Sequence, residues 1–108
     1  MNRPSIVEWA PFQLLDGASE AELFEASRRI QEEFLSRQRG FLRRELLRWK
    51  NNCWVDIVYW ADRDAADAAL EAAGESAACQ RYFRLMNSDD QTALDPGVLL
   101  FERVASYP

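Results

Sequence analysis

Apolar and polar residues alternate with a period of two through residues 5–15, SIVEWAPFQLL, a pattern that predicts a β-strand. Ile6, Glu8, Ala10, Phe12 and Leu14 share one face of it, and Val7, Trp9 and Gln13 the other. Pro11 has no N–H to give to a ladder, so a bulge or the end of pairing is expected there. After the Asp16-Gly17 turn the period lengthens. Leu23, Ser27, Ile30 and Phe34 recur at i, i+4, i+7 and i+11, the stripe of an amphipathic helix that Phe24 and Leu35 widen. Ser19 followed three residues later by Glu22 is a capping box that opens this helix, and Gly40 breaks it after Gln38. Glu25–Arg29 and Glu33–Arg37 are i,i+4 pairs in the favourable order, a solvated face worth only tenths of a kcal/mol per pair.

Residues 41–50, FLRRELLRWK, are apolar on both sides when read as a strand. Phe41, Arg43, Glu45, Leu47 and Trp49 fall on one face, and Leu42, Arg44, Leu46 and Arg48 on the other. Asn51-Asn52 suits a hairpin turn, because asparagine tolerates positive φ. A strand over residues 53–61 then returns antiparallel. Asp62 or Asp64 can cap a second helix whose stripe is Ala66, Leu70, Ala73 and Ala77, small enough for close approach to a sheet. Gly74 weakens or kinks that helix; Ser76 can restart it, with Cys79, Phe83 and Met86 continuing the stripe. Asn87 to Gly97 reads as a polar loop, and residues 98–105 as the last strand.

The element order is therefore β-α-β-β-α-β over one domain, residues 1–108. With right-handed crossovers this gives an α+β, ferredoxin-like fold: a four-stranded antiparallel sheet with two helices on one face. Every strand carries apolar residues on both sides, so the bare face calls for burial against a second copy, in a two-fold dimer through the open sheet face.

Composition removes several classes of function. The chain has 48% hydrophobic and 29% charged residues, an ordinary globular balance, and a net charge of −5 that favours neither nucleic acid nor an anionic membrane surface. It contains no histidine, which excludes His-ligated haem, His-containing zinc sites and every Ser-His or Cys-His nucleophile pair. Cys53 and Cys79 make no zinc site, and no EF-hand spacing is present, so neither metal nor cofactor is expected. The N-terminus has no apolar run of signal-peptide type. Two reduced thiols and a cytoplasmic location follow as expectations.

Candidate chemistry concentrates in residues 53–70. Trp54, Asp56, Val58 and Trp60 fall on one strand face, placing a carboxylate between two indoles just before a helix. Trp60 reads equally as a pocket wall or as core. Asp56, if it faces the helices, needs a partner or a raised pKa. It is then either a base that deprotonates a phenol or enol, or a carboxylate paired with Arg44 or Arg48 across the hairpin or turned into a dimer interface. Trp9, Trp49 and Trp54 read as core or interface residues, with pocket lining as the alternative; Arg81 and Arg84 read as surface. Trp9, Trp54, Tyr82 and Phe83 are the candidate substrate-binding side chains.

With this element order, Gly40-Phe41 entering the second strand, Arg44 and Leu46 within it, Trp60 closing the third strand, Asp62 and Ala65 after it, and Tyr82-Phe83 late in the second helix, the chain resembles the antibiotic-biosynthesis-monooxygenase-like family of dimeric α+β barrels. The resemblance covers nearly the whole chain in element order, through short motifs. It implies a pocket between sheet and helices, lined by Trp60 and by a polar residue four positions earlier, here Asp56. Family members include cofactor-independent oxygenases of polyketide-type aromatic phenols, haem-degrading enzymes and quinone-related enzymes. The family's frequent histidine early in the second helix is replaced at about Ala69, which removes the haem-degrading reading. The segment around Gly74 is about one turn longer than in typical members.

Two expectations follow. The chain is a cofactor-independent monooxygenase acting on an aromatic or quinone-like substrate, with Asp56 and Trp60 as its catalytic residues; or it is a non-catalytic ligand-binding or structural homodimer of the same fold.

Overall fold

A computed structural model describes residues 4–86 and 98–108; the expected loop at 87–97 lies outside the described residues. The elements run β1 (Ile6–Gln13), α1 (Glu20–Glu33), a 3-10 turn (Leu35–Arg37), β2 (Phe41–Arg48), β3 (Cys53–Trp60), α2 (Arg63–Ala73), α3 (Ala77–Phe83) and β4 (Leu99–Glu102). The sheet is antiparallel with order β2-β3-β1-β4, the ferredoxin-like α+β arrangement, and the helices cover one face.

β1 pairs with β3 over its full length, from Ile6 opposite Trp60 to Gln13 opposite Cys53, so the expected break at Pro11 does not occur. The reason is which edge the proline faces. Leu14 donates its N–H to Asn52 on the β3 side, so by alternation Pro11 points the other way, where β4 has already ended opposite Trp9. A proline costs the β1–β3 ladder nothing when the N–H it lacks would have pointed away from β3.

α1 begins as the capping box requires: the Ser19 hydroxyl accepts from Glu22 N–H at 3.1 Å, and the Glu22 carboxylate accepts from Ser19 N–H at 2.9 Å. Leu23, Ser27, Ile30 and Phe34 are all buried, while Phe24 is half exposed at the rim of the stripe. The helix closes at Glu33, which leaves Arg37 in the 3-10 turn. Glu33 therefore pairs backwards with Arg29 at 3.3 Å and not with Arg37.

Gly40 then enters β2 at φ +83°, and a Cβ there would stand 2.5 Å from the Ala65 Cβ at the start of α2. Both conformation and space thus require glycine at this one crossing of loop and helix. A register shift between Phe41 and Arg43 carries Phe41 onto the helix-facing side, edge-on to Trp60 at 5.8 Å. Simple alternation would put Phe41 on the face of Arg43; the bulge re-aims it. The β2–β3 turn holds Asn51 and Asn52 at φ +59° and +60°, and Cys53 N–H returns to Lys50 O at 3.1 Å.

Asp62 caps α2, accepting from Ala65 N–H at 2.9 Å. The expected second helix is divided: α2 stops at Gly74, and the Ser76 hydroxyl captures Cys79 N–H to start α3. The division resets the buried stripe. Ala66, Ala69, Cys79 and Tyr82 are buried, whereas Leu70 and Phe83 are part-exposed and Ala77 is exposed. The opposite face of the sheet carries Trp9, Leu47, Leu99 and Phe101, each more than a third exposed. No described helix is long and apolar enough to cross a membrane.

Candidate functional site

β3 lies inside the sheet, and Trp54, Asp56, Val58 and Trp60 all turn toward the helices and are buried. An unpaired carboxylate at such a depth would be costly. Asp56 is instead held in a closed set of bonds. Arg44, on the neighbouring strand, donates from Nε to Asp56 Oδ1 at 2.7 Å and from Nη2 to Oδ2 at 2.9 Å, a bidentate pair. The Tyr82 hydroxyl donates to Oδ2 at 2.7 Å. Arg44 also donates from Nη1 to the Ser27 carbonyl at 3.2 Å and from Nη2 to the Tyr82 oxygen at 3.0 Å. One guanidinium thus ties β2 and β3 to α1 and α3. Burial, with the charge of Asp56 beside it, pushes the Tyr82 phenol far above its ordinary value, so Tyr82 stays a donor. Arg48, the other expected partner, is exposed; it stacks over the Trp54 ring at 5.4 Å and approaches Glu20 at 3.6 Å.

A second carboxyl, half-buried, stands beside this group. Glu8 sits on β1 opposite Val58, on the inward face, and its Oε1 accepts from the Trp60 indole N–H at 2.9 Å. Burial raises the Glu8 carboxyl above its ordinary value; the indole donor opposes the shift, the Asp56 charge adds to it and Arg44 subtracts. The alternation sets Glu8 on one face with Ile6, Ala10, Phe12 and Leu14, and an acidic residue inside that otherwise apolar stripe is the sequence signal for it.

Between sheet and helices lies a cavity of about 300 Å³. Its depth comes from small residues: Ala69 and Ala73 of α2 leave space above the sheet where longer side chains would close it. Trp60, Val58 and Phe12 form the sheet wall, Ile30 and Phe34 the α1 wall, and Leu70, Phe83 and Val98 are part-exposed residues among the lining. The lining is apolar apart from Glu8, Asp56, the Tyr82 hydroxyl and the Cys79 thiol, whose pKa burial pushes up. Asp56, Trp60, Tyr82 and Phe83 are therefore brought together on one cavity. Trp54 and Trp9 are not part of it. Trp54 packs edge-on against Phe24 at 5.9 Å with its N–H unpartnered, and Trp9 lies on the opposite sheet face. Among the described residues no group of three or more acidic or thiol side chains converges to hold a metal ion.

The fold and cavity can be set against known proteins. No family model and no curated protein matches the chain. Solved structures do. A variant of SnoaB, a cofactor-independent oxygenase from Streptomyces nogalater, is 27% identical, with 97% of this chain and 98% of that one covered at a TM-score of 0.75. In fold and over nearly its full length the chain is similar to the antibiotic-biosynthesis-monooxygenase-like proteins. Candidate antibiotic biosynthesis monooxygenases from Bordetella bronchiseptica and Nitrosomonas europaea share the fold at lower identity. They are 21% and 17% identical, with TM-scores of 0.66 and 0.67; 95% and 96% of this chain, and 100% and 94% of theirs, are covered. The likeness to SnoaB, over 97% of this chain, makes it monooxygenase-like in kind.

Proposed function

We propose that this protein is a cofactor-independent monooxygenase whose substrate is a small aromatic or quinone-like molecule bound between the sheet and the helices. The observation that carries the reading is the cavity: about 300 Å³, apolar, walled by Trp60 and bearing two carboxyls at one end. That volume lies at the lower bound of small-ligand sites, suited to a compact fused-ring compound. In this reading the indole of Trp60 packs against the substrate ring. The acidic end draws a proton from a phenol or enol, which leaves an electron-rich carbon able to reduce O2 directly. Asp56 shapes that end with its negative charge, and Tyr82 and Phe83 complete the wall. The likeness to SnoaB supports the same kind of chemistry.

The active form in this proposal is a homodimer. Trp9, Leu47, Leu99 and Phe101 form an apolar patch on the sheet face that no helix covers, and a second copy buries it. The two unpaired cysteines support a cytoplasmic location.

One observation favours a second reading, a ligand-binding dimer without catalysis: both oxygens of Asp56 are already engaged by Arg44 and Tyr82. A panel of hydroxylated aromatics followed with an oxygen electrode separates the two. Turnover of at least one compound, lost in Ala73→Leu, which fills the cavity, supports the enzyme. Binding with no oxygen consumed across the panel leaves only the second reading.

A further inference from the structure

We propose that Glu8 is the ligand-facing proton acceptor of the cavity, engaging the hydroxyl of a bound neutral hydroxyarene, while Asp56 serves to hold the cavity floor. The inference rests on the reading of the cavity as an aromatic site. The two carboxyls differ in what they have left to offer. Asp56 accepts three hydrogen bonds, two of them from a guanidinium, and a proton placed on it would displace a charge-assisted bond. Glu8 accepts one, from the Trp60 indole. Its other oxygen has no hydrogen-bond partner among the described residues, yet it is not sealed from solvent. The indole bond fixes the carboxyl beside the ring wall, so a hydroxyl on a ring packed against Trp60 has an acceptor at its edge.

The surroundings of Glu8 set the class of ligand. Asp56 and Trp60 face it from β3, Arg44 from β2, and Cys79 from α3. Tyr82 of α3 shares the cavity, whereas α1 and α2 present Ile30, Phe34, Ala69 and Ala73. Arg44 is the one cation of this set, and its donors are committed to Asp56, Ser27 and Tyr82. A carboxylate-bearing ligand would meet two acids and no available cation; a neutral O–H donor meets an acceptor. In the transfer itself the ligand O–H bond breaks as an O–H bond forms on the Glu8 carboxylate. The electron pair stays with the aryloxide, and nothing is oxidised or reduced.

The test is a fluorescence titration of the protein with naphthol, its methyl ether and naphthoate across mildly acidic to mildly alkaline pH. Naphthol binding should tighten as pH rises and Glu8 ionises, reaching about tenfold over the ether, the size of one charge-assisted hydrogen bond. Naphthoate should bind weakest. Glu8→Gln, which keeps an acceptor for the indole, should remove the pH dependence and most of the naphthol preference; Asp56→Asn, which strips the charge that helps to raise the Glu8 carboxyl, should still show a pH dependence, displaced to lower pH. Glu8→Asp, which retains the charge but withdraws it by one methylene, should keep the pH dependence with weaker binding, and serves if the glutamine variant does not fold. Equal binding of naphthol and ether by the wild type at every pH makes Glu8 an indole anchor only. Loss of the pH dependence in Asp56→Asn but not in Glu8→Gln assigns the acceptor to Asp56. If none of the three probes binds the wild type, the aromatic-site reading falls, and the role of Glu8 with it.

Discussion

Replacing Arg44 with methionine should destabilise this protein more than any other change to a charged residue. Arg44 is almost wholly buried, 7% exposed in its side chain, and so is Asp56 beside it. The substitution deletes two charge-assisted bonds to Asp56, the bond to the Ser27 carbonyl and the bond to Tyr82, and leaves a carboxylate in the core with one hydroxyl for company. Breaking a buried pair from one side typically costs about 3–5 kcal/mol, because the remaining charge stays desolvated. With a urea m-value of about 1–3 kcal/mol/M for a domain of this size, the unfolding midpoint should fall by on the order of 2 M. The reasoning makes a second demand. Arg44→Met combined with Asp56→Leu and Tyr82→Phe removes the polar side-chain groups of the buried set together, leaving only the Ser27 carbonyl without its Arg44 donor, and should recover most of the loss, since an apolar core replaces the network. Equilibrium urea unfolding by circular dichroism measures both. A single-variant cost below about 1 kcal/mol, the range of an exposed ion pair, would refute the account. So would a triple variant no more stable than the single.

Three further outcomes follow from other parts of the molecule. Gly40→Ala should cost about 2–4 kcal/mol by thermal or urea unfolding, summing left-handed backbone strain with the overlap at 2.5 Å on Ala65; adding Ala65→Gly should return only the overlap share. Glu8→Gln should be more stable than the wild type at neutral pH. A carboxyl whose pKa is raised by folding contributes fully below its unfolded value and loses that contribution as pH rises through its folded one, so the difference should vanish in acid; a constant difference across pH would contradict the burial of Glu8. Trp9→Glu with Phe101→Glu should halve the mass seen in analytical ultracentrifugation by putting charge on the uncovered sheet face, whereas a monomeric wild type would end the dimer reading.

Much of the architecture was legible in the alternation of residues. The period-two runs, the capping box at Ser19, the Asn51-Asn52 turn and the shared face of Trp54, Asp56, Val58 and Trp60 are consequences of local geometry acting on side chains close in sequence, and the structure reproduces each; that this face turns toward the helices is set by the tertiary packing. The misreadings share one cause. Pro11 was expected to interrupt pairing because a strand in isolation does not reveal which edge lacks a neighbour; the short β4 supplies the answer. Phe41 was given to the face of Arg43 because alternation does not show a bulge. Phe83 was placed in the stripe ahead of Tyr82 because the division at Gly74 resets the helical phase.

The candidate site follows the same division. Period two alone put Asp56 and Trp60 on one face of their strand, and Glu8 on one face of its own with Ile6, Ala10, Phe12 and Leu14. The sequence by itself therefore determined which residues could meet, since side-chain direction is a local property of the backbone. Only the tertiary structure decided how they do. The strand order set Arg44 beside Asp56 and Glu8 beside Trp60, and the packing of α3 brought in Tyr82. A carboxylate's role depends on which donors and charges lie within a few ångströms of it, and those come from residues 12, 26 and 52 positions away along the chain.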